Sequence, residues 1–167
     1  MKALIVYFSK TGHTKQAALD VARGLESCGV ECAVEAADNA KATADVSEYE
    51  ILAVGSPTYG NRRYRLPARQ VNDFLDSLSP GSLEGKTCGA FTVNASLGGK
   101  KLAGAMELAL DKLGGNVVGN SPVVKAGAPM SLWKGPDASP SDVSRCEEFG
   151  KRLADAAGAG PSPEGSA

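Results

Sequence analysis

Three runs of continuous apolar residues, Ala3 to Phe8, Ile51 to Gly55 and Cys88 to Val93, are each followed by a loop and then a stretch of helical periodicity. Uninterrupted apolar runs of this length read as strands buried on both faces, and such strands belong to parallel sheets covered by helices. The intervening helices show the matching spacing: Ala17, Ala18, Val21, Ala22 and Leu25 within Lys15 to Cys28; Val71, Phe74, Leu75 and Leu78 in a helix starting near Leu66 with Pro67 in its first turn; and Ala103, Met106, Leu110 and Leu113 within Lys100 to Leu113. A last helix opens at Ser139-Pro140 and turns Val143, Cys146, Phe149 and Leu153 inward.

Two weaker strands complete the alternation. Glu31 to Glu35 alternates with glutamates, and Ser121 to Lys125 carries Pro122. Both features are tolerated at sheet edges, so these are the outer strands. Asp38 to Glu48, between the second and third strands, is polar and Ala-rich and reads as loop with a ragged helical turn. With right-handed crossovers, the expected fold is a doubly wound α/β domain, a five-stranded parallel sheet of order 2-1-3-4-5. The chain reverses direction between strands one and three, and ligands in such sheets bind beside that point, at the carboxyl ends of the strands. The loops after Phe8, Gly55, Val93 and Lys125 are therefore where function is expected.

Bulk properties narrow the classes. The chain has 167 residues, 43% of them hydrophobic, enough for one self-contained domain over residues 1–157, with a Gly/Pro/Ser-rich flexible tail over 158–167. Eighteen basic and 19 acidic residues leave a formal charge of -1, so nothing in the global charge favours nucleic acid as a partner. No run approaches a membrane span and no secretory signal opens the chain, so a cytoplasmic location is expected. Cys28, Cys32, Cys88 and Cys146 form neither a CxxC pair nor a metal ligand set, and His13 is the single histidine. A zinc site or a Ser/His/Asp triad is not expected, and neither metal ligands nor catalytic residues are assigned.

The loop after the first strand reads Ser9-Lys10-Thr11-Gly12-His13-Thr14 and runs straight into a helix. Hydroxyls, a glycine that permits a tight turn and a helix start converge donors on one point, as a terminal phosphate requires. It lacks the GxxxxGK[ST] spacing of a Walker loop and the GxGxxG of a dinucleotide fold. Ser and Thr before a helix also serve as plain N-caps. In content and place, Ser9-x-Thr11-Gly12-x-Thr14 resembles the phosphate loop of the flavodoxin family. The resemblance extends over nearly the whole chain to Leu153 and implies a flavodoxin-like fold and FMN as cofactor. Carried over by position, Ser9, Thr11 and Thr14 would donate hydroxyls and the backbone from Lys10 to Thr14 would donate N–H groups, with Gly12 at the turn. Lys10 and His13 fill variable positions and are expected to add at most electrostatic attraction.

Gly55-Ser56-Pro57-Thr58-Tyr59-Gly60-Asn61 follows the third strand. An aromatic beside a glycine offers a flat apolar surface and a peptide free to turn. By the resemblance, Tyr59 stacks on the isoalloxazine, Gly60 lies in the peptide that reorients when the flavin is reduced, and Ser56, Pro57, Thr58 and Asn61 complete the loop. After the fourth strand, Asn94-Ala95-Ser96-Leu97-Gly98-Gly99 suits close backbone approach to the flavin's pyrimidine edge, through Asn94, Ala95, Ser96, Gly98 and Gly99. It departs from typical flavodoxins, which place an aspartate and a second aromatic here. Trp133, from the long loop Ala126 to Ala138, either covers the second flavin face or serves packing or subunit contact.

The family implies electron transfer: FMN carries the redox chemistry and the protein shuttles electrons between redox enzymes, its partners. Arg62, Arg63, Arg65 and Arg69 pull the other way, because flavodoxins usually show acidic residues there. Positive charge near the ring stabilises an anionic reduced flavin and suits a nicotinamide nucleotide phosphate. The Gly55 to Asn61 string is also similar to the flavin loop of flavodoxin-like quinone reductases. NAD(P)H-dependent quinone reduction is thus the alternative, with NAD(P)H and quinone as partners, and the arginines otherwise form a solvated helix face.

Overall fold

A computed structural model describes residues 1–58, 66–95, 97–127 and 133–160. In chain order the elements are β1 (Lys2–Tyr7), α1 (His13–Glu26), β2 (Glu31–Ala36), α2 (Ala37–Thr43), a 3-10 turn (Val46–Glu48), β3 (Ile51–Pro57), α3 (Arg69–Ser77), β4 (Thr87–Asn94), α4 (Gly99–Lys112), β5 (Asn116–Val117), β6 (Val123–Lys125) and α5 (Pro140–Ala156). The strands form one sheet of order β2-β1-β3-β4-β5, with β6 also on β4, and every pairing is parallel. The doubly wound order 2-1-3-4-5 expected from the strand compositions is the observed one.

Side chains alternate between two cores. Ala3, Ile5, Ile51, Ala53, Phe91 and Val93 face α1 and α5. Leu4, Val6, Leu52, Val54, Cys88 and Ala90 face α2, α3 and α4. β1, β3 and β4 are buried almost throughout, which is why their sequences are continuously apolar rather than alternating. Missing side chains permit close layers. A Cβ on Gly55 would lie 2.1 Å from the Phe91 ring, so that ring fills the space above the middle of the sheet.

Three sequence expectations are revised. The fifth strand position is occupied by two pieces instead of one. β5 pairs with Thr87 and Cys88, β6 pairs with Thr92 to Asn94, and between them the chain leaves the ladder after Val118, whose N donates to Cys88 O (2.8 Å). Buried Pro122 ends that excursion, its carbonyl accepting from Thr92 N (3.0 Å). Arg152 of α5 holds the excursion by donating to the carbonyls of Gly119 and Asn120, each at 2.9 Å. Second, α3 starts at Arg69, not near Leu66, because the Ser56 hydroxyl accepts from Ala68 N (2.8 Å) and Ala68 is held extended at ψ 143°. Third, the ragged stretch after β2 is a defined helix, α2, whose Ala37 and Ala40 are buried.

Candidate functional site

The carboxyl ends of β1, β3 and β4 deliver three loops to one edge of the sheet. Tyr7 is level with Gly55, and Gly55 with Phe91. Beyond the ladder, Phe8 N donates to Gly55 O (3.2 Å) and Thr58 N to Val93 O (2.9 Å), so the chain leaves all three strands side by side. This is the reversal point between β1 and β3 at which doubly wound sheets hold their ligands.

The first loop is built to leave donors unspent. Gly12 is the N-cap of α1 at φ +94°, a left-handed conformation that favours glycine, and no side chain caps the helix. The first helical bond is Gln16 N to Gly12 O (3.0 Å), so helix geometry leaves the amides of His13, Thr14 and Lys15 without intrahelical partners. Ser9 Oγ accepts from Gly12 N at 3.0 Å, which keeps the hydroxyl's own proton available and folds the loop back on itself. Lys10 is exposed, Thr11 is partly buried and Thr14 is buried at the helix start. A Cβ placed on Gly12 would meet nothing within 4 Å among the described residues, so the space beside the turn is open there. Open space, oriented amides and the positive end of a 14-residue helix suit a phosphate dianion.

The His13 ring does not join this cradle. It is 7% exposed, its Nε2–H donates to Lys134 O at 2.5 Å, and its Nδ1 lies 3.6 Å from Asp137 Oδ1. A carbonyl only accepts, which assigns the proton to Nε2. Behind the loop, α1 and the segment 134–143 enclose a cleft of about 490 Å³ reaching from Thr11 and Gly12 to Asp20 and Arg23. Asp20 is 1% exposed; burial raises its carboxyl above the ordinary carboxylate value, although Gln16 (3.1 Å) and Arg23 both donate to it.

The other two loops divide differently. Ser56 is fully buried, accepting from Ala68 N and donating to Pro57 O (3.0 Å), so its hydroxyl is engaged within the fold. Pro57 and Thr58 lie partly exposed at the strand end, while Tyr59, Gly60, Asn61, Arg62, Arg63 and Arg65 are outside the described residues. Arg69 is exposed on the first turn of α3 and pairs with Asp73 at 3.7 Å. After β4, Ala95 is exposed and Ser96 lies outside the described residues. Gly98 caps α4 at φ +94°, again without a side-chain cap, and Gly99 is the first residue of that helix. Asn94 is 5% exposed and its Oδ1 is buried without a hydrogen-bond partner among the described residues. An orphaned acceptor at the strand end leaves a donor-bearing ligand edge something to satisfy, as the N–H of a flavin pyrimidine would. The residues present therefore fit FMN at both of its polar ends.

Comparison with known proteins agrees with this geometry. The family model described as Flavodoxin matches residues 5–155. A flavodoxin of Aquifex aeolicus is 31% identical over 160 residues, covering 92% of this chain and 85% of that protein. An NAD(P)H dehydrogenase (quinone) of Sinorhizobium fredii is 30% identical over 118 residues, but the match spans only 57% of either protein. The solved structure of a flavodoxin, WrbA-like protein from Agrobacterium tumefaciens superposes with a TM-score of 0.74 at 27% identity, covering 93% of this chain and 96% of that one. No helix among the described residues is long and apolar enough to cross a membrane. A match that enters midway along β1 and ends one residue short of the end of α5 takes in both cores and all three loops, and the chain belongs to the flavodoxin family, an FMN-binding family of electron-transfer proteins.

Proposed function

We propose that the protein is a one-electron carrier that shuttles electrons between redox enzymes, with FMN seated across the three loops. The observation that carries the reading is the uncapped start of α1 beside the β1/β3 reversal, with Ser9 folded over it. The phosphate would take the amides of His13 to Lys15 and the hydroxyls of Ser9 and Thr11. Thr14, buried at the helix start, would hold the turn or donate its hydroxyl from below. Tyr59 would stack on the ring, the peptide at Gly60 would turn toward it, and Asn94 Oδ1 would accept from the pyrimidine edge, with Gly98 and Gly99 close by. Bound FMN supplies the electron chemistry, so the protein's task is to hold it, set its potential and expose its edge to a partner. Near full-length correspondence with the Aquifex flavodoxin supports the carrier reading.

NAD(P)H-dependent quinone reduction is the second reading. It draws on the part-length similarity to the dehydrogenase and on the arginines at positions 62, 63, 65 and 69, of which Arg69 stands 90% exposed. Reconstitution with FMN followed by reductive titration separates the two. A carrier accumulates a long-lived half-reduced flavin and oxidises NADPH slowly. Rapid NADPH oxidation by the protein alone, coupled to added quinone, would give first place to the enzyme. Protein refolded with excess FMN that remains colourless would end both readings.

A further inference from the structure

The chain's single histidine sits in the phosphate loop yet turns its side chain away from it. Backbone and side chain of His13 thereby serve different parts of the molecule. Its amide is one of the three without an intrahelical partner at the start of α1. Its ring, 7% exposed, reaches 121 residues along the chain to Lys134 O.

The segment it reaches is the limb that returns from the loop after β6. Gly127, at φ +85°, passes directly beside the ring: a Cβ there would lie 3.2 Å from His13 Cδ2. Gly127 N donates to Pro136 O at 2.8 Å, closing the neck of the loop, and Lys134 Nζ pairs with Asp137 at 3.5 Å just beyond. One residue further back, Ala126 N donates to Asn94 O at 3.2 Å. A continuous set of contacts therefore runs from the start of α1, through His13 to Lys134, across the neck from Pro136 to Gly127, and on to the end of β4. Trp133, 62% exposed, is the residue immediately before Lys134.

We propose that His13 is a positioning residue that couples the phosphate seat to the segment bearing Trp133, so that filling the seat and fixing that segment are one event. The inference rests on the phosphate reading of residues 9–14 and deepens it. An anion held by the amides of the first turn fixes the backbone at His13. The Cα–Cβ direction follows the backbone, so the ring and the carbonyl it grips are fixed with it. Ordering entropy spent at one end is then not spent again at the other, which makes the linkage reciprocal.

Trp133 is the only tryptophan, so its emission anisotropy reports on this segment alone. The probe is inorganic phosphate titrated into the full-length apoprotein, because FMN would quench the tryptophan directly. Phosphate should raise the Trp133 anisotropy of the wild type. His13→Ala should bind phosphate with a flat anisotropy trace and bind FMN about fivefold more weakly, at the lower end of typical couplings. His13→Gln, which places an N–H at similar reach, should restore part of both effects. Phosphate that binds the wild type without moving the anisotropy, or a His13→Ala response equal to the wild type's, would overturn the coupling and leave the seat intact. A wild type that binds neither phosphate nor FMN would overturn the seat, and the coupling with it. The first measurement needs no variant, so misfolding of a mutant cannot shield the proposal.

Discussion

Gly24 of α1 and Gly150 of α5 bring two helix backbones into direct contact: a Cβ on Gly24 would lie 2.0 Å from the carbonyl oxygen of Glu147, and one on Gly150 would lie 2.2 Å from that of Val21. The obstructing atoms are backbone and cannot rotate away. Gly24→Ala or Gly150→Ala should each cost about 3 kcal/mol, the upper end of overpacking penalties, read as a lower urea midpoint. The two changes disturb one contact, so the double variant should lose less than their sum.

Gly12 presents the opposite situation, because a side chain there would meet none of the described residues and its φ of +94° is what resists one. Gly12→Ala should lower apoprotein stability by about 1–2 kcal/mol, from left-handed strain alone. Gly12→Asn should lose less, since asparagine tolerates this region. Thermal unfolding of the three proteins side by side gives the ranking.

If Ser9 serves the phosphate, its removal should matter only to ligands that carry one. Ser9→Ala should weaken FMN binding about tenfold, the lower range for a hydrogen bond to a charged group. Affinity for riboflavin, which has the same ring and no phosphate, should stay within about twofold of the wild type's, since the lost bond contributes nothing to the ring. Fluorescence quenching titrations with both dyes make the comparison.

Asp20 gives a pH signature of known sign. Its folded-state pKa is raised by burial above the ordinary value of 3.8. Between those two values the native protein holds a proton that the unfolded chain has released, so stability falls as pH rises through the window. Asp20→Asn has no such group. The stability of the variant relative to wild type should therefore improve as pH climbs from about 4 toward neutrality, by chemical denaturation at a series of pH values.

Cys88 and Cys146 are buried and Cys32 is partly buried. Burial pushes Cys32, Cys88 and Cys146 up to about 12, which leaves almost no thiolate at neutral pH. Ellman's reagent at pH 8 should titrate at most Cys28 in the native protein and all four cysteines after unfolding.

The central strands were legible because burial on both faces forces a continuously apolar run, and Ala3 to Val6, Ile51 to Val54 and Cys88 to Val93 satisfy it. The edge strand was less so. β5 has two residues, too few to carry any period, and the exit that follows it is held at Gly119 and Asn120 by Arg152 of a distant helix. The start of α3 was misplaced because Pro67 fits a first helical turn locally, whereas the hydrogen bond that delays the helix comes from Ser56, a strand away. In the candidate site, the donor-rich loop at Ser9 to Thr14 showed in composition alone. The direction of the His13 ring did not, since its partner carbonyl belongs to residue 134 and no local pattern encodes it.

The interruption between β5 and β6 also bears on how the molecule behaves in a crowd. An open sheet edge is a template on which a foreign strand can grow, and its danger rises with the length of straight, unpaired backbone it displays. Here that edge is cut into lengths of two and three residues, with Pro122 and the left-handed Asn120 bending the chain between them. The same irregularity that blurred the fifth strand in the sequence shortens the straight backbone this edge offers for intermolecular pairing, which leaves the six-residue β2 at the opposite edge as the longer template.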